Sequence, residues 1–194
     1  MTREEAHKIL DEMIDSKSLK KHCLTIALVM EACASKLGEP EDLWYNTGLL
    51  HDADYDRFPD QHPNIIVKRL EESGDFEMAY AISAHFTKWG KKYHKPLEKY
   101  LLAVDELTGL IVAASLMRPT GMMGMTVKSV KKKIKSKGFA AGVDRNEIDK
   151  GIDIINATGG KINYYSTNKK AKKINYTPIR KSLAGIVREI VLIK

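Results

Sequence analysis

The fold is decided by the stretch Gly48-Leu49-Leu50-His51-Asp52-Ala53-Asp54-Tyr55-Asp56-Arg57-Phe58-Pro59-Asp60-Gln61-His62-Pro63. An apolar helical segment ends there at the adjacent His51 and Asp52, and a turn rich in carboxylates leads to His62. Imidazole and carboxylate groups are ligands of divalent metals such as Mn, Fe, Co, Ni and Zn. The stretch therefore indicates a metal site at a helix end, provided that other parts of the chain supply further ligands.

Three further candidate ligands lie on separate predicted helices. His22 is in an apolar helix upstream of the stretch, and His85 and Asp105 are in two helices downstream. Apolar residues flank Asp105 on both sides, and a carboxylate that faces a core needs a hydrogen-bonding partner or a metal. An ordinary position on a helix surface is the alternative for Asp105.

Hydrophobic periodicity and capping residues predict helices over most of the first 157 residues. The predicted segments are 2–15, 18–37, 40–51, 63–74, 75–90, 97–116, a lysine-rich helix that begins at 127, and 144–156. Thr2 and Glu5 form a predicted capping box, and Gly38 is expected to end the second helix. No stretch shows sustained strand alternation, so the prediction is an all-α helical bundle.

The positive charge of the chain is concentrated at its carboxyl end. The net charge is +7 over 194 residues, but residues 161–194 contain nine basic residues and one acidic residue. The remaining residues are thus nearly neutral, at −1. We therefore predict one helical domain over residues 1–157 and a basic extension over residues 158–194.

The extension contains a predicted amphipathic helix after Thr177-Pro178. Its apolar face is formed by Ile179, Leu183, Ile186, Val187 and Ile190. A basic segment with interspersed tyrosines can bind nucleic acid, and a basic amphipathic helix can lie on an anionic surface. Packing of this helix on its own domain, or on a partner, is the interpretation we favour.

The sequence favours a cytoplasmic protein without a membrane span. The start of the chain is charged and has no apolar signal region, and the longest uncharged apolar stretch is residues 107–117. A membrane helix needs roughly 20 residues. Cys23 and Cys33 share one predicted helix at about 15 Å, too far apart for a disulfide.

The pattern of His22, His51-Asp52 and Asp105 resembles the HD superfamily of metal-dependent phosphohydrolases. Within it, the segments around residues 48–63, Ala84-His85, 103–110 and 128–145 look closest to a bacterial and archaeal group of predicted HD hydrolases. The resemblance is strongest over about residues 15–110 and extends to about residue 150. It implies an HD-domain-like helical bundle.

The resemblance also implies the ligands of one or two divalent ions, of Mn, Fe, Co, Ni, Zn or Mg. His22, His51, Asp52 and Asp105 match the positions of the first set. Some members bind two ions, and we hypothesise that His62 and His85 complete a second site with Asp52 as the bridge. The alternative is that His62 stabilises the loop and His85 contacts phosphate.

The implied function is a phosphohydrolase that acts on a nucleotide or other small phosphorylated compound through a metal-bound hydroxide. We predict catalytic roles for Asp52 and His85, and substrate binding by His85, Lys88 and Arg118. Arg57 and one or two lysines of residues 128–137 are further candidates for phosphate contact. Asp54 and Asp56 can act as acid or base or can support a metal ligand, but stabilisation of their loop is the interpretation we favour. The alternative function is a non-catalytic metal-binding module whose basic extension binds nucleic acid or an anionic surface.

Overall fold

The computed structural model describes residues 1–157, and every regular element in that range is a helix. This described part of the chain contains eight α-helices: α1 (Arg3–Met13), α2 (Lys17–Leu37), α3 (Glu41–Leu50), α4 (Asn64–Glu72), α5 (Phe76–His85), α6 (Pro96–Leu116), α7 (Val127–Ile134) and α8 (Arg145–Ala157). Short 3-10 helices cover Pro59–Gln61 and Thr87–Trp89. The predicted all-α fold is confirmed, and the predictions for residues 158–194 lie outside the described residues.

The chain groups into two compact units, of which the first is Met1–Leu102 and the second begins at Ala103. The boundary falls within α6. The prediction of a single domain over residues 1–157 stays a prediction.

Side-chain caps define the beginnings of the first two helices. Thr2 and Glu5 form the predicted capping box of α1, with the Thr2 hydroxyl accepting from the Glu5 amide. Helix α2 begins at Lys17, one residue earlier than predicted. Its N-cap is Ser16, whose hydroxyl accepts from the Leu19 amide at 3.3 Å. Gly38 ends α2 in the left-handed conformation, at φ 74°, as predicted, because glycine adopts that conformation without a steric penalty.

Close packing of α2 on α3 positions the two elements that carry the first histidines. A Cβ on Gly48 of α3 would lie 3.0 Å from the Ala27 backbone and from Cγ of Met30, both on α2. The glycine thus allows a backbone-to-backbone approach that a larger residue would prevent. Trp44 of α3, almost fully buried, packs against Tyr100 at the start of α6.

The loop between α3 and α4 is tied to the junction of α1 and α2. The Asp56 carboxylate accepts from the Asp15 and Ser16 amides at 3.0 and 2.9 Å. The Arg57 guanidinium donates to both carboxylate oxygens of Asp15. These contacts fix the part of the loop that precedes His62.

The second unit is organised by a close contact between α6 and α8. A Cβ on Gly151 of α8 would lie 2.5 Å from Cα of Ala103. Glu106 of α6 accepts from the Asp144 amide at 3.1 Å, one residue before α8 begins. Both contacts hold the first two turns of α8 against α6.

One predicted helix end was wrong. Helix α5 ends at His85, whereas the sequence predicted that it continues to Trp89-Gly90. Phe86 has extended backbone angles, φ −75° and ψ 90°, and interrupts the helix before the 3-10 turn. His85 therefore lies at a helix end, next to the loop, as His51 does.

Within residues 1–157, no helix has both the length and the apolar character that crossing a membrane requires. Cys23 and Cys33 are both buried on α2. The cytoplasmic location expected from the sequence stays a prediction.

Candidate metal centre

Two histidines from adjacent helices face each other in the first unit. His22 lies in the second turn of α2, and His51 directly follows the last residue of α3. Their Nε2 atoms are 3.2 Å apart. The His51 side chain is fully buried, whereas that of His22 is 27% exposed and gives the pair an edge toward solvent.

Asp52 completes a triangle with these two histidines. Its Oδ2 lies 3.3 Å from Nε2 of His51 and 3.7 Å from Nε2 of His22. Ligand atoms that each lie about 2.1 Å from one ion are about 3.0 to 3.4 Å apart at octahedral to tetrahedral angles. The triangle has about the dimensions of three ligands of one divalent ion.

The other oxygen of Asp52 faces a second pair of histidines. Oδ1 lies 3.5 Å from Nε2 of His62 and 3.8 Å from Nε2 of His85. His62 precedes α4, and His85 is the last residue of α5. All ligand atoms of this second group lie within 4.8 Å of one another, as do those of the first group. Asp52 belongs to both groups.

The second ring nitrogen of three histidines is held by a hydrogen-bond acceptor. Nδ1 of His51 donates to the Gly48 carbonyl at 2.8 Å, and Nδ1 of His85 donates to the Ile82 carbonyl. Nδ1 of His62 donates to the Asp54 carboxylate at 2.7 Å. In the neutral imidazole these bonds assign the proton to Nδ1, so that Nε2, the ring nitrogen nearer Asp52, is available to bind a metal.

Asp54 is buried and uses both of its carboxylate oxygens. Oδ1 accepts from His62, and Oδ2 accepts from the Ile66 amide at 3.0 Å in the first turn of α4. Metal-binding histidines commonly donate their other N–H to a carboxylate or carbonyl, which fixes ring orientation. The sequence favoured a loop-stabilising role for Asp54 and left support of a metal ligand open, but residue spacing alone did not indicate the bond to His62.

The charge on Asp52 suits a bridging ligand. Burial alone would raise its pKa, but His51 and His85, as protonated imidazoles that carry positive charge and donate to Asp52, outweigh burial and hold the pKa well below its usual range. The carboxylate is therefore ionised at neutral pH, as a metal ligand must be. The donor set of imidazole nitrogens and one shared carboxylate fits Mn, Fe, Co, Ni or Zn.

Asp105 lies on α6 in the second unit and is half-buried, with buried Val104 and Leu107 beside it. Burial, followed by the charge of Asp105, raises the pKa of Glu106 to about 7. The prediction that Asp105 is a ligand of the first ion stays a prediction.

Lys88, a predicted substrate-binding residue, contacts the same aromatic ring as His62, that of Phe86. The Phe86 ring packs edge-on against the His62 ring, with 5.5 Å between centroids. The exposed Lys88 places its ammonium 5.4 Å from the centroid of the same Phe86 ring. Phe86 was not among the residues singled out from the sequence.

The two arginines predicted to contact phosphate are bonded to other groups of the protein. Arg57 forms its ion pair with Asp15, at 2.9 Å. Arg118, in the second unit, donates to the Gly121 and Met123 carbonyls at 3.0 and 2.8 Å. These bonds order the loop after α6, and substrate contact by Arg118 stays a prediction.

Comparison with known families identifies the class of this chain. Residues 19–114 match the model of the HD domain, so the chain belongs to the HD-domain family, as the resemblance predicted. Members of that family bind divalent metals, and most are metal-dependent hydrolases. No curated protein and no solved structure matches the chain.

Proposed function

We propose that this protein is a divalent-metal-dependent phosphohydrolase that acts on a nucleotide or another small phosphorylated compound. The observation that carries the proposal is the position of the Asp52 carboxylate, each oxygen of which faces a different pair of histidines. A single carboxylate between two histidine pairs fits a bridge between two ions. Membership of the HD-domain family supports the same chemistry.

Each ion has its own histidines in this proposal. His22, His51 and Asp52 would hold the first ion, with Asp105 as the fourth predicted ligand. Asp52, His62 and His85 would hold the second. If only the first ion binds, His85 is free to contact the substrate phosphate instead, which is the alternative role predicted for it.

In this proposal the bound ions, Asp52, Lys88 and Arg118 have different roles in the reaction. Bound divalent ions would supply an acidified water as the nucleophile and would screen the phosphoryl oxygens. Asp52 keeps its charge at neutral pH and holds the two groups of histidines at a fixed separation. Lys88 and His62 both contact the Phe86 ring, and Lys88 is therefore the proposed cation for a phosphate at the second group. Arg118 is the further proposed substrate contact.

The test is a substrate panel run on protein whose metal content has been measured by elemental analysis. Phosphomonoesters, phosphodiesters, nucleotides and pyrophosphate would be offered with Mn, Fe, Co or Ni. We expect turnover of at least one class. Asp52→Asn should reduce turnover by more than about 100-fold, the upper end of what loss of an outer partner of a metal ligand costs.

Asp60→Asn is the matched control, because Asp60 is an exposed carboxylate in the same loop. It should keep both metal content and turnover. A protein that binds metal, is inert on the whole panel and binds nucleic acid with a steep salt dependence would instead be the non-catalytic module.

A further inference from the structure

A cavity of about 1000 Å³ lies between α7 and the beginning of α8, within the second unit. Its walls combine basic, acidic and apolar residues: Lys131, Ile134, Lys135, Lys137, Ala141, Gly142, Val143, Asp144, Arg145, Asn146, Asp149 and Ile152. A volume of this size is in the range of small-molecule sites in proteins. None of these residues belongs to the candidate metal centre.

Three lysines, Lys131, Lys135 and Lys137, are among the residues that line the cavity. Lys131 lies on α7, and Lys135, four residues later, directly follows the last residue of α7 and keeps a helical backbone conformation, so that the two side chains leave on the same face. Burial lowers the pKa of Lys131, and repulsion from the positive charge of Lys135 lowers it further. A ligand that carries negative charge would relieve that repulsion.

Another part of the cavity wall is held in shape by Arg145, the first residue of α8. Its guanidinium donates to three carbonyls of the preceding turn, those of Phe139, Ala140 and Val143. Ala140 has a positive φ of 44°, a conformation that a non-glycine residue keeps only when its surroundings hold it. The turn is thus anchored, and the cavity has a preformed wall.

The acidic lining residues restrict the kind of anion that fits. Asp144 caps α8 by accepting from the Asn146 amide at 2.8 Å, and Asp149 lies one turn further along the cavity wall. Two carboxylates would repel a continuous phosphate backbone, but they can accept hydrogen bonds from hydroxyl groups. Ile134, Val143 and Ile152 add an apolar surface against which a ring can pack.

We propose that this cavity binds a small ligand with two or more phosphate groups joined to a hydroxyl-bearing, partly apolar body, of which a nucleoside diphosphate is the simplest example. Lys131, Lys135 and Lys137 contact the phosphates, and Asp149 accepts from the hydroxyl groups. The site is separate from the proposed hydrolytic centre, and its occupancy does not require metal.

The experiment measures binding of ADP and of inorganic pyrophosphate to the full chain by isothermal titration calorimetry. The chain carries Asp52→Asn and is kept in chelator, so that the metal centre does not contribute. We expect ADP to bind more tightly than pyrophosphate. The pair Lys131→Gln and Lys135→Gln should weaken ADP binding by at least about 10-fold, or about 1.4 kcal/mol.

The matched control is the pair Lys128→Gln and Lys132→Gln. Both lysines are exposed on the same helix and neither lines the cavity, so the change in net charge is identical. This pair should change ADP affinity by less than about twofold. Circular dichroism of both double variants checks that α7 and α8 remain folded.

Three results would overturn the proposal. Equal weakening by the two lysine pairs would mean diffuse electrostatic attraction, and pyrophosphate binding as tight as that of ADP would remove the role of Asp149 and the apolar wall. The third is a single-stranded oligonucleotide that binds more tightly than ADP and responds to Lys131 and Lys135, since the cavity would then be part of a nucleic-acid surface. Because metal is excluded, a negative result in this binding experiment does not affect the hydrolase proposal. Absence of turnover on the substrate panel likewise does not affect the proposal for this cavity.

Discussion

The orientation of His62 depends on a carboxylate that does not itself face the centre. Asp54 accepts with both oxygens, one from the His62 ring and one from the Ile66 amide, and it is fully buried. An uncharged isostere has only one acceptor oxygen. It would therefore leave one of the two donors facing an NH₂ group.

Asp54→Asn should accordingly weaken the second metal position and spare the first. Loss of an outer partner costs about 10- to 100-fold in metal affinity. We expect a loss of that size for one of two bound ions, measured by competition with a chromophoric chelator. Nitrogen NMR of the histidine rings should show His62 losing its fixed Nδ1–H tautomer.

Asp60→Asn serves again as the control for charge, and it should leave both ions in place. Equal loss of both ions in Asp54→Asn would indicate that Asp54 supports the whole loop rather than His62. Unchanged affinity for both ions would remove Asp54 from the metal centre altogether.

For single residues, the candidate metal ligands were predictable from the sequence, but the hydrogen bonds that orient them were not. His22, His51 and Asp52 stand out in the sequence because imidazole and carboxylate groups adjoin apolar helical segments, and the structure brings them together. The bond from Asp54 to His62 spans eight residues of irregular loop. Its geometry is set by turns and by the contact of Asp56 with the α1–α2 junction, which residue spacing does not encode.

At the scale of helices, the approach of α2 to α3 is set by Gly48. Gly48→Ala would place a methyl group 3.0 Å from the Ala27 backbone, which cannot move as a flexible side chain can. We expect destabilisation by about 1 to 3 kcal/mol, the range for overpacking. Metal affinity should fall as well, since His22 and His51 lie on these two helices. Thermal unfolding and metal titration provide the measurements.

Gly109→Ala is the matched control, because Gly109 is also within a helix but nothing lies within 4 Å of its added Cβ. It should stabilise the protein by up to about 1 kcal/mol through helix propensity. If Gly48→Ala were as stable as Gly109→Ala, the two helices would be able to separate without cost, and the close approach would have no structural role.

Helix positions were largely predictable because capping and periodicity are local signals. Thr2 and Gly38 mark the start of α1 and the end of α2 in the sequence as they do in the structure. The end of α5 was missed, because the residues from Phe86 to Trp89 continue an apolar pattern while the backbone leaves the helix at Phe86. Phe86 instead contacts His62 in space, a long-range preference that a local pattern does not contain.

For the whole molecule, the basic charge concentrated in the extension provides a test that distinguishes the phosphohydrolase from the nucleic-acid-binding module. Changing Lys169, Lys170, Lys172 and Lys173 to Gln would remove four of the positive charges of the extension. Any affinity for nucleic acid should then fall, with a salt slope smaller by up to about 0.7 per lost contact on single strands. Turnover of a small phosphate ester should not change. Filter binding at several salt concentrations and a steady-state assay measure the two effects.

The control replaces four exposed lysines of the helical body, Lys8, Lys17, Lys68 and Lys92, for the same change in net charge. If these replacements reduced nucleic-acid affinity equally, the extension would have no special role in binding. If the extension variant lost turnover, the basic segment would belong to the hydrolytic function.

Two of the histidines also serve as the last hydrogen-bond donors of their own helices. The rings of His51 and His85 each donate to a carbonyl three residues earlier, at the carboxyl ends of α3 and α5. Truncating either ring to a methyl group would fray a helix terminus and empty a coordination position in the same step. Scanning with asparagine, whose amide can still reach that carbonyl, would separate loss of folding from loss of the ion, and an alanine scan would merge them.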